Sequence, residues 1–419
     1  MDRLVVKGKK RLSGSVVISG AKNAAVAVIP AAIMADGICV IDNLPYIEDV
    51  RCLYTTLNKI GIKCTYEDKH TLKIDSVNDI CTKVTFDEVR KMRASYYLLG
   101  ALLARFKKAE VAMPGGCNFG TRPIDLHLKG FRALGAEVEV NGEIVCVKAE
   151  KLKGASIYMD TVSVGATINI MLAATMAEGI TTIENAAKEP HIVDVANFLN
   201  MMGAKIKGAG TDVIKIVGVE HLHGAEYTII PDQIEAGTYM IAAAITKGCV
   251  KVQNIIPTHM DSLSAKLIEI GINIEEGDDY ITVDATDVDF KATSIRTMAY
   301  PGFPTDLQPQ MAALLSVCEG TSMITENVWE KRYQYIDELK KLGAKITVEG
   351  RVAIIEGVKE LSGANVEATD LRAGAAMIIA ALNARGETVI GEVKYIDRGY
   401  EEVENKFLAL GADIRRVSV

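Results

Sequence analysis

Residues 203–208 read Gly-Ala-Lys-Ile-Lys-Gly, and this phrase, a glycine, an alanine or isoleucine and an alternating run, returns along the chain. It stands also at Gly61 (GIKCTYE), Gly135 (GAEVEV), Gly271 (GINIEE), Gly343 (GAKITV) and Gly411 (GADIRR), and successive glycines lie 74, 68, 68, 72 and 68 residues apart. Alternation of period two marks a strand. Ahead of each glycine runs a pattern with apolar residues three and four apart, such as IVDVANFLNMM or YEEVENKFLAL, which predicts a helix that the glycine ends. Some 23 to 25 residues earlier another glycine (Gly37, Gly179, Gly248, Gly320, Gly386) closes an alanine-rich helix, with only the second repeat lacking one. Each repeat therefore reads strand, helix, strand, helix, strand, strand.

A period near 70 is too long for a solenoid of 20- to 50-residue repeats. The 419 residues exceed one ordinary core, so three repeats in each of two domains is the natural division. Helices such as AAVAVIPAAIMA and AGAAMIIAALNA are apolar nearly all round and predict burial inside the sheets, the inverse of the usual α/β barrel.

The formal charge of −7 argues against a nucleic-acid partner, which needs a basic field. No window approaches eighteen uninterrupted apolar residues and the start lacks a signal-peptide stretch, so no membrane association and a cytoplasmic location are expected. Eight cysteines without a Cys-x-x-Cys pair and six scattered histidines point to no metal and no cofactor. Most of these cysteines are expected to be small buried hydrophobes. Protein partners are not legible.

Aligned on their glycines, the repeats place polar residues at two recurring positions. The first, at the entry of the alanine-rich helix, holds Lys22, Arg93, Ser163 to Gly165, Asp306 and Arg372. The second, expected at the start of the other helix, holds Arg122, Arg332 and Arg398. Helix N-termini already attract anions, and six added cations suit phosphates and carboxylates. Repeat two also carries Pro114-Gly115-Gly116-Cys117-Asn118-Phe119-Gly120-Thr121-Arg122, which sets Cys117 in a glycine-flanked loop near a cation. Whether that thiol is reactive or merely exposed stays open at this point. Thr121-Arg122 replaces the Lys-Ser/Thr of a P-loop, and no complete dinucleotide fingerprint follows a strand.

The segments SGAKNAA (19–25), MRAS (92–95), PGGC followed by GTRPIDLH, SVGAT (163–167), PTDLQ (304–308), ENVWEKR (326–332), DLRAGAA (370–376) and IDRGYE (396–401) carry a resemblance. Across essentially its full length the chain resembles the UDP-N-acetylglucosamine 1-carboxyvinyltransferase family, and more distantly the 5-enolpyruvylshikimate-3-phosphate synthases. The resemblance implies an α/β fold of two inside-out α/β barrels, one formed by residues 22–229 and carrying a catalytic loop, the other by 1–21 with 230–419, and an active site in the cleft between them. It implies transfer of the enolpyruvyl group of phosphoenolpyruvate to the 3-hydroxyl of UDP-N-acetylglucosamine. It assigns Cys117 as general acid, Asp306 as base, and Lys22 and Arg398 as catalytic cations. Phosphoenolpyruvate would be held by Lys22, Asn23, Arg122, Arg332, Arg372 and Arg398. The nucleotide sugar would meet Asn23, Arg93, Arg122, Pro123, Ile124, Asp125, Leu126, Thr161, Ser163, Val164, Gly165, Asp306 and Val328. Three features depart from the family's usual pattern: Thr161 where lysine is common, Trp329 where phenylalanine is commoner, and Asn118-Phe119 at the loop tip. The rival readings are a 3-phosphoshikimate 1-carboxyvinyltransferase and a catalytically silent UDP-sugar-binding paralogue.

Overall fold

The structure, a computed structural model, describes residues 2–76, 80–113 and 124–418. The chain forms two compact units, residues 20–230 and residues 1–19 with 231–419. Each has its own apolar core.

Six four-stranded sheets form among the described residues. In repeat three, Ser156–Tyr158 runs parallel to Ile180–Glu184 with the helix Val164–Ala174 as the crossover between them. Ile180–Glu184 then pairs antiparallel with Val213–Val217, and that strand with Lys205–Lys207. In Val213–Val217 only Ile214 and Ile216 are buried, so the sheet turns one face to the core and the other to solvent.

The alanine-rich helices occupy the inside. From Ala166 to Ala174 every residue is buried, and so is every residue from Arg372 to Leu382 of the helix Leu371–Asn383. Small residues let these helices approach closely. Gly100, in the helix Tyr97–Phe106, donates its N–H to Asn169 Oδ1 at 2.8 Å, and a Cβ there would lie 2.4 Å from that oxygen. The second helix of a repeat is half-buried and amphipathic, as in Glu48–Lys59, where Val50, Leu53 and Leu57 face inward.

The repeats differ from their sequence pattern in informative ways. The first strands of repeats one and four are exchanged. Ser13–Val17 pairs with Cys249–Gln253 of repeat four, whereas Glu226–Thr228 pairs with Gly37–Asp42 of repeat one. Asp2–Lys7 lies between Glu387–Gly391 and Asp413–Ser418 and so completes the sheet of repeat six. Lysine takes over the glycine's part twice: Lys107 and Lys247 adopt left-handed φ of 59° and 51°. Gly248 is required instead by closeness, since a Cβ there would sit 2.2 Å from the Leu12 carbonyl oxygen.

The expectation of buried cysteines holds for Cys39, Cys64 and Cys318, but Cys81 is exposed and Cys52, Cys146 and Cys249 are half-buried, because Cys52 lies on the amphipathic helix Glu48–Lys59 and Cys146 and Cys249 alternate with the buried positions of their strands. Burial pushes the Cys64 and Cys318 thiols up to about 12, which makes them inert. Among the described residues no helix is long and apolar enough to cross a membrane, and no three metal-ligating side chains gather.

Candidate active site

In the unit formed by residues 1–19 and 231–419, repeats five and six bring three predicted residues together. Asp306 lies in the tight turn Thr305–Leu307 that leads into the inner helix Gln308–Leu315. Its Oδ1 accepts from Arg332 Nη2 at 3.0 Å, and its Oδ2 accepts from Arg372 Nη2 at 3.2 Å. Both guanidinium groups are buried, with side chains 3% and 5% exposed, whereas Asp306 is 29% exposed and forms the open side of the triad. Burial by itself would raise the Asp306 carboxyl, but Arg372 and Arg332 outweigh it and hold the group well below the usual carboxylate range. The triad carries two positive charges and one negative, an arrangement suited to receiving an anion.

Each arm of the triad is held by its own element. Asp370 caps the helix Leu371–Asn383 by accepting from the Arg372 and Ala373 amides at 2.8 and 3.2 Å, which fixes where the Arg372 side chain starts. The Arg372 guanidinium also donates to the Tyr400 hydroxyl at 3.3 Å. Tyr400 in turn meets Thr238 Oγ1 at 2.9 Å and accepts from Gln310 Nε2 at 3.3 Å, so three inner helices share one polar knot. Arg398, half-buried, lies in the segment between Asp397 and Glu404. Arg416 holds both ends of that segment, donating to Asp397 at 2.7 and 2.9 Å and to Glu404 at 2.7 and 3.1 Å. Val328 is exposed.

Arg332 and Arg398 correct the expectation of cations at helix starts. Arg332 stands in an irregular stretch and Arg398 in a turn, ahead of the short helices Ile336–Lys341 and Val403–Ala409. Helices of six and seven residues leave room in each repeat for such a segment, which carries the arginine where a longer helix would have begun.

The unit 20–230 holds the other described candidates. Lys22 is the first residue of the inner helix Lys22–Ala32 and forms a buried ion pair with Asp49, in the first turn of Glu48–Lys59. Asn23 beside it is half-buried. Ser163 caps Val164–Ala174, its hydroxyl accepting from the Ala166 amide at 3.3 Å, so Ser163, Val164 and Gly165 form one helix N-terminus. Buried His127 and half-buried Tyr96 back it: a Cβ on Gly165 would lie 3.1 Å from the imidazole and 3.2 Å from the phenol oxygen. Thr161 is exposed in the bend before this helix. Ile124 immediately precedes the helix Asp125–Ala133, with Asp125 exposed and Leu126 half-buried. Arg93 opens the short turn Arg93–Tyr96. Cys117, Arg122 and Pro123 lie outside the described residues.

Sequence reasoning passed over Asp49, Tyr400 and Glu326. Tyr400 and Glu326 stood inside quoted motifs, where a buried tyrosine or glutamate reads as packing or surface charge. Asp49 gave no signal beyond that of an acidic residue in a helix's first turn.

Six βαβαββ repeats with inner helices place the chain in the α/β class, and two of those helices open on a buried cation, Lys22 in one unit and Arg372 in the other. The chain belongs to the EPSP synthase (3-phosphoshikimate 1-carboxyvinyltransferase) family, which residues 6–407 match. Within it, the chain is 58% identical to UDP-N-acetylglucosamine 1-carboxyvinyltransferase 2 of Clostridium acetobutylicum, with all of both chains covered. It is also 58% identical to the UDP-N-acetylglucosamine 1-carboxyvinyltransferase of Clostridium botulinum, again over both full lengths. Among solved structures, the enolpyruvyl transferase NikO from Streptomyces tendae matches with a TM-score of 0.91 at 27% identity, covering 100% of this chain and 99% of that one. EPSP synthase from Acinetobacter baumannii matches with a TM-score of 0.78 at 20% identity over the whole of both chains, a likeness of fold.

Proposed function

We infer that this protein transfers the enolpyruvyl group of phosphoenolpyruvate to the 3-hydroxyl of UDP-N-acetylglucosamine and releases phosphate. The observation that carries this reading is full-length identity of 58% to relatives named for that activity. The reaction supplies the first committed intermediate of peptidoglycan precursors, and by this reading the enzyme works in the cytoplasm and serves cell shape and division.

The chemistry is addition followed by elimination. Cys117 delivers a proton to the methylene carbon of phosphoenolpyruvate, the enol carbon becomes electrophilic, and the sugar hydroxyl attacks it as Asp306 takes the hydroxyl proton. The tetrahedral ketal then loses phosphate and a methyl proton. Lys22, Asn23, Arg122, Arg332, Arg372 and Arg398 hold the phosphate and carboxylate and stabilise charge through both steps. The nucleotide sugar is read by Asn23, Arg93, Arg122, Pro123, Ile124, Asp125, Leu126, Thr161, Ser163, Val164, Gly165, Asp306 and Val328.

The depressed Asp306 carboxyl fits a base that is quiet until substrate arrives. With two guanidinium groups upon it, Asp306 is a weak acceptor of protons. An anion that draws Arg332 or Arg372 toward itself lifts that restraint, so binding and base strength rise together.

The test is phosphate release from phosphoenolpyruvate with UDP-N-acetylglucosamine or shikimate 3-phosphate as acceptor, with the product identified by mass. Release with the nucleotide sugar alone supports the reading; release only with the shikimate compound overturns the acceptor. Silence with both favours a sugar-binding paralogue. Fosfomycin, a phosphoenolpyruvate-like epoxide, is expected to inactivate the enzyme and add its mass to the Cys117 peptide, and an unshifted peptide from a resistant enzyme would count against Cys117 as the acid.

A further inference from the structure

In repeats one, three and four an asparagine follows the middle strand, takes a left-handed turn (φ 59°, 56° and 56° at Asn43, Asn185 and Asn254) and ties down the neighbouring parallel strand. The three side-chain amides donate to the Ile229, Met159 and Ile18 carbonyls at 3.0, 2.8 and 2.7 Å. In repeat five the strand register sets Glu326 opposite Thr297, in the place these asparagines hold, and Asn327 follows it exposed. The tie is made there by Glu326, wholly buried at 0% exposure.

The Glu326 carboxylate joins three segments. Oε1 accepts from Thr297 Oγ1 at 2.8 Å, at the end of the parallel strand Ser294–Arg296, and from the Val328 and Trp329 amides at 2.8 and 3.0 Å. Oε2 accepts from Thr305 Oγ1 at 2.9 Å. Thr305 precedes Asp306, and the Val328–Trp329 turn leads to Arg332. The Asp306–Arg332 ion pair closes the circuit. Four donors around an acceptor are what an ionised carboxylate takes. Burying that charge is costly, and a neutral asparagine performs the strand-tying task in three sister repeats. The charged residue stands in the repeat that carries both Asp306 and Arg332.

We propose that Glu326 is a positioning residue for the reaction: through Thr305 it sets the Asp306 carboxylate, and through the Val328–Trp329 turn it sets Arg332. This rests on Asp306 being the base, so turnover by the unaltered enzyme with UDP-N-acetylglucosamine is measured first; failure there is failure of that reading and not of this one. The experiment then compares Thr305→Val, Thr305→Ser and Glu326→Gln in the full-length enzyme, recording kcat, both KM values and the melting temperature. In Thr305→Val, kcat falls roughly tenfold or more with both KM values within about twofold, as expected for a slightly misplaced base. Thr305→Ser keeps the hydroxyl and restores kcat. In Glu326→Gln, kcat falls and the KM for phosphoenolpyruvate rises, because the Arg332 arm is loosened too. Wild-type kcat in Thr305→Val, or a loss that Thr305→Ser does not rescue, overturns the proposal even if Glu326→Gln fails to fold.

Discussion

At the scale of single residues, burial raises two carboxylates and their neighbours decide on which side of the ordinary range each ends. Asp306 is held down by two arginines, and its replacement separates chemistry from binding: Asp306→Asn is expected to lower kcat by about 100- to 10,000-fold while UDP-N-acetylglucosamine still binds by calorimetry. Asp194, buried in the helix Pro190–Met201, forms no ion pair among the described residues; burial raises it to about 6, and the Tyr227 hydroxyl, donating at 2.6 Å, and the Ile230 backbone offset this only in part. The folded-state value lies above the ordinary unfolded value of about 3.9, so the native state binds the proton more tightly. Native stability contributed here therefore falls as pH rises from about 4 through about 6, and the full cost, on the order of 2–3 kcal/mol, is present above that. Asp194→Asn is expected to raise the melting temperature at pH 7.5 and to leave it nearly unchanged at pH 4; equal effects at both would show that the charge is not the cause. Lys22 and Arg372 were legible as site candidates because cations interrupt an apolar helix. Glu326 and Tyr400 were not, since their importance lies in partners distant along the chain, such as Thr297 and Thr238.

At the scale of elements, the inner helices are specified by composition and then brought together by their small residues. Gly100 is the clearest case, because an added methyl collides with Asn169. Gly100→Ala is expected to cost about 1–3 kcal/mol in chemical denaturation, the usual penalty for overpacking a tight core. Both ends of the segment from Asp397 to Glu404 are held by one side chain, Arg416. Arg416→Ala leaves both carboxylates without their bidentate partner, and the expected result is a raised KM for phosphoenolpyruvate with little change for the nucleotide sugar, since this segment carries Arg398. The helices of repeats five and six proved shorter than their periodicity implied. The apolar spacing of residues 396–410 continues through a turn that packs Ile396 and Tyr400 inward without helical geometry, and periodicity alone does not distinguish the two.

At the scale of the whole molecule, strand exchange makes distant segments interdependent. Asp2–Lys7 is an interior strand of its sheet, so a chain lacking residues 1–7 leaves Glu387–Gly391 and Asp413–Ser418 without their shared partner. Hydrogen exchange on that variant is expected to show lost protection in residues 231–419 and retained protection in 20–230, whose core is separate. The amino-acid sequence by itself determined the six repeats, the α/β class, the burial of the alanine-rich helices and the positions where cations interrupt them, because each depends on neighbours within a few turns of chain. Only the tertiary structure decided that the first strands of repeats one and four change places, that Asp306 is shared by two buried arginines, and that Glu326 ties three segments together. Those pairings join residues tens to hundreds of positions apart, and local periodicity carries no information about which hydrogen-bonding partner a strand edge or a carboxylate will meet.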